Sequence, residues 1–242
     1  MENQTKVGMN RTGMQMAPKQ GAQQVHYAEQ NPPHPKNGSE EDIAALRGLY
    51  VEEALRVGSV PVPATGKGVT ETVVGKLKGK NPEVLFDKLG ERAAYERSGV
   101  RLYQAMISKV KVTPHLEQAA LLADLDHICE EEFQHFQMLS GVIADMGGDP
   151  TAQTPCADVS GVASLGMIQV ITDPRTTLAQ CLQALLSVEL TDNACWELLI
   201  ELAEQSGHDE LIAPFQKALA SEQEHETMIK QWLRKMVMEE AT

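Results

Sequence analysis

The chain has 242 residues, 42% of them hydrophobic, only 4% aromatic, and a net charge of −13. That length suits one domain with a sizeable core and an appendage, and a Leu/Ala/Met/Glu/Gln-rich composition favours helices over sheets. The acidic balance excludes a basic nucleic-acid-binding surface and suits a protein that gathers cations.

Residues 1–38 are rich in Gln, Asn, Met, Gly and Pro without periodicity, and Asn31-Pro32-Pro33-His34-Pro35 fits neither a helix interior nor a central strand. A disordered or extended tail is expected, with His26 and His34 solvated. Residues 1–30 contain no apolar signal-type region, and no charge-free apolar run in the chain reaches the roughly 20 residues that span a bilayer. The expectation is a cytoplasmic protein with no membrane partner. Ser39-Glu40-Glu41-Asp42 reads as a helix start, with Ile43, Leu46, Leu49, Tyr50 and Leu55 forming a short amphipathic helix to about Val57. Val60-Pro61-Val62-Pro63 is extended. Thr65-Gly66-Lys67-Gly68 lacks phosphate-loop spacing and reads as a surface loop. Val69, Val73, Val74 and Leu77 point to a further short helix. The stretch 39–80 is thus an arm too small for its own core, which must pack on the main domain or on another subunit. A homodimer or larger homo-oligomer is expected.

The main domain is expected over 81–242. Asn81-Pro82 starts a long helix, 82–111, whose stripe of Leu85, Leu89, Ala93, Val100, Tyr103, Ile107 and Val110 is interrupted at Glu96. Thr113-Pro114 caps a second, 114–146, with Leu121, Leu125, Ile128, Leu139, Val142 and Met146 on its stripe and Glu132 and His135 interrupting it. Residues 147–173 form a long connection whose apolar part, 162–171, covers something or holds a short helix or strand. Asp173-Pro174 starts a third long helix, 174–205, interrupted at Glu189, and a fourth, 209–238, is interrupted at Glu222 and His225. Short links make antiparallel neighbours, so two such pairs with one long crossover give an all-α, antiparallel four-helix bundle. Cys129, Cys156, Cys181 and Cys195 form no Cys-x-x-Cys, which leaves no rubredoxin-like iron module or zinc ribbon; small buried thiols are expected.

Each long helix therefore carries acidic residues in the middle of its apolar stripe, and two carry Glu-x-x-His, whose members share a face. Counted from the inter-helix turns at 112 and 207, Glu96 lies 16 residues before and Glu132 20 after, while Glu189 lies 18 before and Glu222 15 after. At about 1.5 Å per residue these levels agree within about one helical turn. Four bare carboxylates at one level in a core repel one another and suffer desolvation; two divalent cations among them, completed by two imidazoles, remove both penalties.

Over about 82–238 the sequence resembles the ferritin-like superfamily. Glu96-x6-Tyr103 resembles the first-helix signature of ferritins and bacterioferritins. The 33-residue step from Glu189 to Glu222, with His225 three further on, is similar to bacterioferritin. The resemblance implies Glu96, Glu132, His135, Glu189, Glu222 and His225 as metal ligands, with Glu132 and Glu222 as bridges and Glu96 and Glu189 as terminal carboxylates. In related dinuclear enzymes the residue before each Glu of the Glu-x-x-His reaches the opposite His; here those residues are Glu131 and Ser221. Asp192 and Asn193 are further supporting positions, and Tyr103 is a hydrogen-bond donor or redox relay beside the metals. Trp196 reads as core, and His127 of Asp124-x-x-His127 as surface.

Hard carboxylates with one imidazole per metal suit Fe(II) or Mn(II). The expectation is a dinuclear iron protein, an oxidoreductase of ferroxidase or oxidase type acting on Fe(II) or a small substrate with O2 or H2O2. Two alternatives differ in class: a manganese-catalase-like enzyme with two Mn ions, and a non-catalytic, stress-associated metal-binding assembly. The 80-residue N-terminal extension departs from typical ferritin.

Overall fold

The computed structural model describes residues 13–32, 38–66, 68–70 and 81–242. They divide into two units, Met1–Arg56 and Val57–Thr242. Among the described residues the regular elements are helices alone.

In the first unit, a short 3-10 turn (Met14–Met16) precedes α1 (Pro18–Gln30), and α2 follows at Glu40–Glu53. Helix α1 departs from the expected extended tail over 1–38. Its Lys, Gln, Ala and Glu residues have good helix propensity and Pro18 occupies its first turn, but it buries only Gly21, so no apolar stripe announces it. Asn31 ends it ahead of the Pro-rich run. Helix α2 begins where expected: the Ser39 side chain accepts from the Asp42 amide while Asp42 accepts from the Ser39 amide. Its Ile43, Leu46, Leu49 and Tyr50 are exposed. His34, most of the helix expected near 69–77, and residues 1–12 lie outside the described residues.

The second unit starts with a segment that has no regular secondary structure through Val60–Pro63. The amides of Ala64 and Thr65 both donate to the Gly147 carbonyl, at 2.9 and 3.2 Å. Gly147 has φ +84°, and a Cβ on Gly68 would lie 2.9 Å from its carbonyl oxygen. Of the surface loop expected at 65–68, Thr65 and Gly66 are exposed, while Thr65 is tied to Gly147 and Gly68 is buried.

The bundle comprises α3 (Pro82–Val112), α4 (Gln118–Asp145), α6 (Leu178–Ser206) and α7 (Ile212–Ala241), with α5 (Pro155–Thr172) in the long crossover. Helices α3 and α4 pair, as do α6 and α7, and α3 packs on α6 and α4 on α7. Two starts differ from the sequence reading. Thr113-Pro114 does not open α4; Thr113 closes α3, and α4 begins at Gln118 after a turn. Asp173-Pro174 does not open α6; a reciprocal Thr177–Gln180 cap does. Gly207, at φ +78°, ends α6 in the left-handed conformation that glycine adopts without strain. The connection 147–173 is mostly helix: α5 lies against α3 and α6, opened by Pro155 and capped by the Thr154 side chain on the Ala157 amide. By length and composition alone α5, with 18 residues and the single charge of Asp158, is long and apolar enough to cross a membrane, and most of it is not buried in the bundle. Of the four thiols, Cys181 is buried and the other three are half-buried.

The bundle core has two apolar halves. One gathers Leu102, Met106, Leu121, Leu125, Leu182, Leu185 and Ile229; the other gathers Leu85, Leu89, Leu139, Trp196, Leu199 and Phe215. Along each helix the charged residue lies between the two: Glu96 between Ala93 and Leu102, Glu132 between Ile128 and Leu139, Glu189 between Val188 and Trp196, Glu222 between Ala218 and Ile229. Hydrophobic burial above and below sets the helical register, and that register fixes the depth of the polar layer.

Candidate metal centre

All six residues that interrupt the apolar stripes meet in this layer. Glu96, Glu132, Glu189, Glu222 and His225 are fully buried, and His135 is 8% exposed. Oxygens of Glu132, Glu189 and Glu222 and a ring nitrogen of His225 lie within 4.8 Å of one another, as do donor atoms of Glu96, Glu222 and His135. Glu222 belongs to both sets. His225 Nδ1 is 3.1 Å from Glu222 Oε2 and 3.8 Å from Glu189 Oε2. His135 Nδ1 is 2.7 Å from Glu222 Oε1 and 3.6 Å from Glu96 Oε2.

Of these approaches His225 Nδ1 to Glu222 Oε2 has hydrogen-bond geometry, and the other three are ion-pair contacts. Both oxygens of Glu96 and of Glu132, Glu189 Oε2, Glu222 Oε1 and His135 Nδ1 are buried without a hydrogen-bond partner. A core that orphans so many acceptors at one point is unfavourable as it stands. The donor set fits divalent cations: one ion would take His225 with oxygens of Glu132, Glu189 and Glu222, and another would take His135 with oxygens of Glu96 and Glu222.

The electrostatics of the metal-free cluster follow from burial and like charge. Burial, reinforced by Glu222 and Glu96, pushes Glu132 well above the ordinary carboxylate range. Burial and the Glu222 charge raise Glu189 to about 8. Burial also acts to raise Glu222, but His135 and His225 overcome it and hold that carboxyl at about 2. Burial disfavours both imidazolium ions, yet the facing carboxylates, Glu222 foremost, lift His135 to about 10 and His225 to about 9. Without metal, protons carried by the imidazoles take the place of cations.

Supporting side chains orient these six. Glu131 Oε2 lies 2.8 Å from His225 Nε2, across the bundle on the opposite helix, and 3.4 Å from the half-exposed His127 Nε2. Ser221, the corresponding residue of α7, makes no hydrogen bond to His135 among the described residues; its short side chain cannot span what Glu131 spans. Tyr103 donates its hydroxyl proton to Glu189 Oε1 on α6, not to Glu96 on its own helix. Asn193 donates to the carbonyls of Glu189 and Glu222 and to Glu226, tying α6 to α7 at the depth of the site. Trp196 is core and also sets its ring edge-on to His135, at 5.8 Å and 72°. Asp124 accepts from Trp232 Nε1 at 2.7 Å, away from the cluster.

Two participants escape a reading by stripes. Arg92, 1% exposed, places Nη1 2.6 Å from Asp192 Oδ1 and Nε 3.7 Å from Glu96 Oε1. The signal available was its position four residues before Glu96 on the buried face. A Cβ on Gly99 would sit 2.0 Å from Glu132 Oε2, so that glycine makes room for the carboxylate. Its position three residues after Glu96 was the hint.

Set beside known proteins, residues 86–238 match the family model of the ferritin-like domain. A solved structure described as ferritin-like, diiron-carboxylate proteins from Bacillus anthracis str. Ames aligns with a TM-score of 0.49 and 19% sequence identity, over 62% of this chain and 94% of that one. No curated protein matches.

Proposed function

The chain belongs to the ferritin-like domain family, and from that premise we propose that its polar layer is a two-metal, most simply di-iron, centre of a ferroxidase- or oxidase-type oxidoreductase. The carrying observation is the convergence of four fully buried carboxylates and two imidazoles, with orphaned donor atoms, between two apolar halves of one bundle. Ferrous iron is acceptable to this mixed oxygen and nitrogen set, and two such ions, when bound, supply paired electrons to O2 or H2O2. The oxidised substrate is Fe(II) itself or a small molecule.

The protein's own residues hold and insulate. Glu131 accepts a hydrogen bond from His225 Nε2–H and so leaves Nδ1 aimed at Glu222. Tyr103 fixes one oxygen of Glu189 and leaves the other free. The flanking apolar halves exclude water, which strengthens every charge interaction inside. His135, the least buried of the six, marks the side nearest solvent.

The test is metal quantification on protein from its native host, followed by an anaerobic Fe(II)-plus-O2 assay beside an H2O2 assay. Two irons per chain and Fe(II) oxidation faster than free iron support the reading. Two manganese ions with H2O2 disproportionation favour the catalase-like alternative. Stoichiometric metal with neither reaction leaves a metal-binding assembly protein.

A further inference from the structure

A fifth carboxylate shares the level of the cluster. Asp192, one turn beyond Glu189 on α6, is fully buried, and neither of its oxygens has a hydrogen-bond partner. One of them lies within 4.8 Å of oxygens from Glu96, Glu132 and Glu222. Arg92 clamps it. The guanidinium pairs with Asp192 Oδ1 at 2.6 Å, and it is fixed over the Tyr95 ring at 4.4 Å, with Trp196 at 5.9 Å. Arg92 and Asp192 form a neutral pair, so Asp192 adds no net charge to the centre. What it adds is an oxygen donor within 4.8 Å of the three others. Donors on opposite sides of one ion at about 2.1 Å stand about 4.2 Å apart, so this quartet needs only a small contraction to enclose a cation.

We propose that Glu96, Glu132, Asp192 and Glu222 form an all-oxygen seat for a hard divalent cation, alternative to the His135-containing seat with which it shares Glu96 and Glu222. Arg92 is its positioning residue. The inference rests on the two-metal reading and deepens it. Because Glu96 and Glu222 serve both seats, one ion uses one or the other. An ion that prefers imidazole takes the His135 side, while an ion that prefers carboxylates, Mn(II) or Mg(II), takes the Asp192 side. Asp192 is then a determinant of which metal the protein retains.

Metal-free full-length protein, titrated separately with Mn(II), followed by electron paramagnetic resonance, and with Co(II), followed by its visible absorption, tests this. Asp192→Asn is expected to weaken one of the two Mn(II) ions at least tenfold while Co(II) affinity and spectrum change less than twofold. His135→Gln is expected to do the reverse. Arg92→Gln/Asp192→Asn, which leaves no buried charge unpaired, should repeat the Asp192→Asn result and guards against simple misfolding. A merely structural Asp192 would lower both affinities together or neither, and either pattern overturns the proposal. Wild-type protein that binds fewer than two ions of either metal overturns the two-metal reading itself, and the seat with it.

Discussion

His225 bridges the inside and the outside of the centre: its Nδ1 lies 3.1 Å from Glu222, while its Nε2 lies 2.8 Å from Glu131, a residue of α4 whose side chain is a quarter exposed. The carboxylate of Glu131 fixes the ring and makes it a stronger electron donor. Glu131→Gln keeps an acceptor and loses the charge; Glu131→Ala loses both. Metal affinity measured against a competing chelator should fall about 10- to 100-fold in Glu131→Ala and less in Glu131→Gln, with stoichiometry still two. Equal affinities in all three proteins would remove Glu131 from the centre.

Gly99 makes a sharper test, because it is not a ligand. The Cβ of Gly99→Ala would stand 2.0 Å from Glu132 Oε2, and that carboxylate must swing away. In a helix interior Ala is better than Gly by up to about 1 kcal/mol, so the metal-free fold should keep its melting temperature or gain slightly. Metal binding should drop to one ion or none. Calorimetry of the metal-free protein beside metal quantification of the loaded one reads both halves of the expectation, and loss of fold together with loss of metal would contradict it.

Much of this centre was legible because burial leaves a periodic trace. An acidic residue inside a stripe of Leu and Ile at helical spacing is visible without any structure, and Glu96, Glu132, His135, Glu189, Glu222 and His225 were all visible so. The bundle itself was legible from short inter-helix links. Three kinds of feature were not. Helix α1 has propensity but no apolar face, so a reading based on periodicity passes over it. Pro174 precedes the reciprocal Thr177–Gln180 cap that opens α6, and Pro114 lies in the turn between α3 and α4, which begins without a side-chain cap, so in neither case does the proline mark the first turn. Arg92, Gly99 and the direction of Tyr103 depend on what the facing helix brings, and no single helix encodes that. Ser221 fails as a counterpart of Glu131 for the same reason: pseudo-symmetry in sequence does not equalise side-chain reach.

Tyr103 is fully buried and its hydroxyl donates a hydrogen bond to Glu189. Tyr103→Phe preserves the ring and its packing and removes one charge-assisted hydrogen bond, of about 1.5–3 kcal/mol. Two ions should still bind. If the hydroxyl orients Glu189 for the reaction, Fe(II) oxidation in stopped flow should slow about tenfold while stoichiometry is unchanged. An unchanged rate would reduce Tyr103 to a packing residue.

Removal of metal should reverse the pH dependence of stability. In the metal-free protein Glu189 sits near 8, above its ordinary 4.5, so its contribution is complete below pH 4.5 and is lost as pH rises through 8. His135, near 10, and His225, near 9, are likewise raised, so their contributions are complete below about pH 6.5 and fade toward pH 9–10. Glu222 runs the other way: held near 2, it contributes above pH 4.5 and loses that contribution as pH falls toward 2. The metal-free protein should therefore melt highest between about pH 4.5 and 6.5 and lose stability through pH 8. Bound cations want deprotonated ligands, so the loaded protein should gain over the same interval. The gap between the two melting temperatures should widen from pH 5 to pH 8, and Glu189→Gln should flatten the metal-free curve. Calorimetric scans at pH 5, 6.5 and 8, with and without metal, decide the matter: parallel curves would mean that the buried carboxylates are not what the metal neutralises.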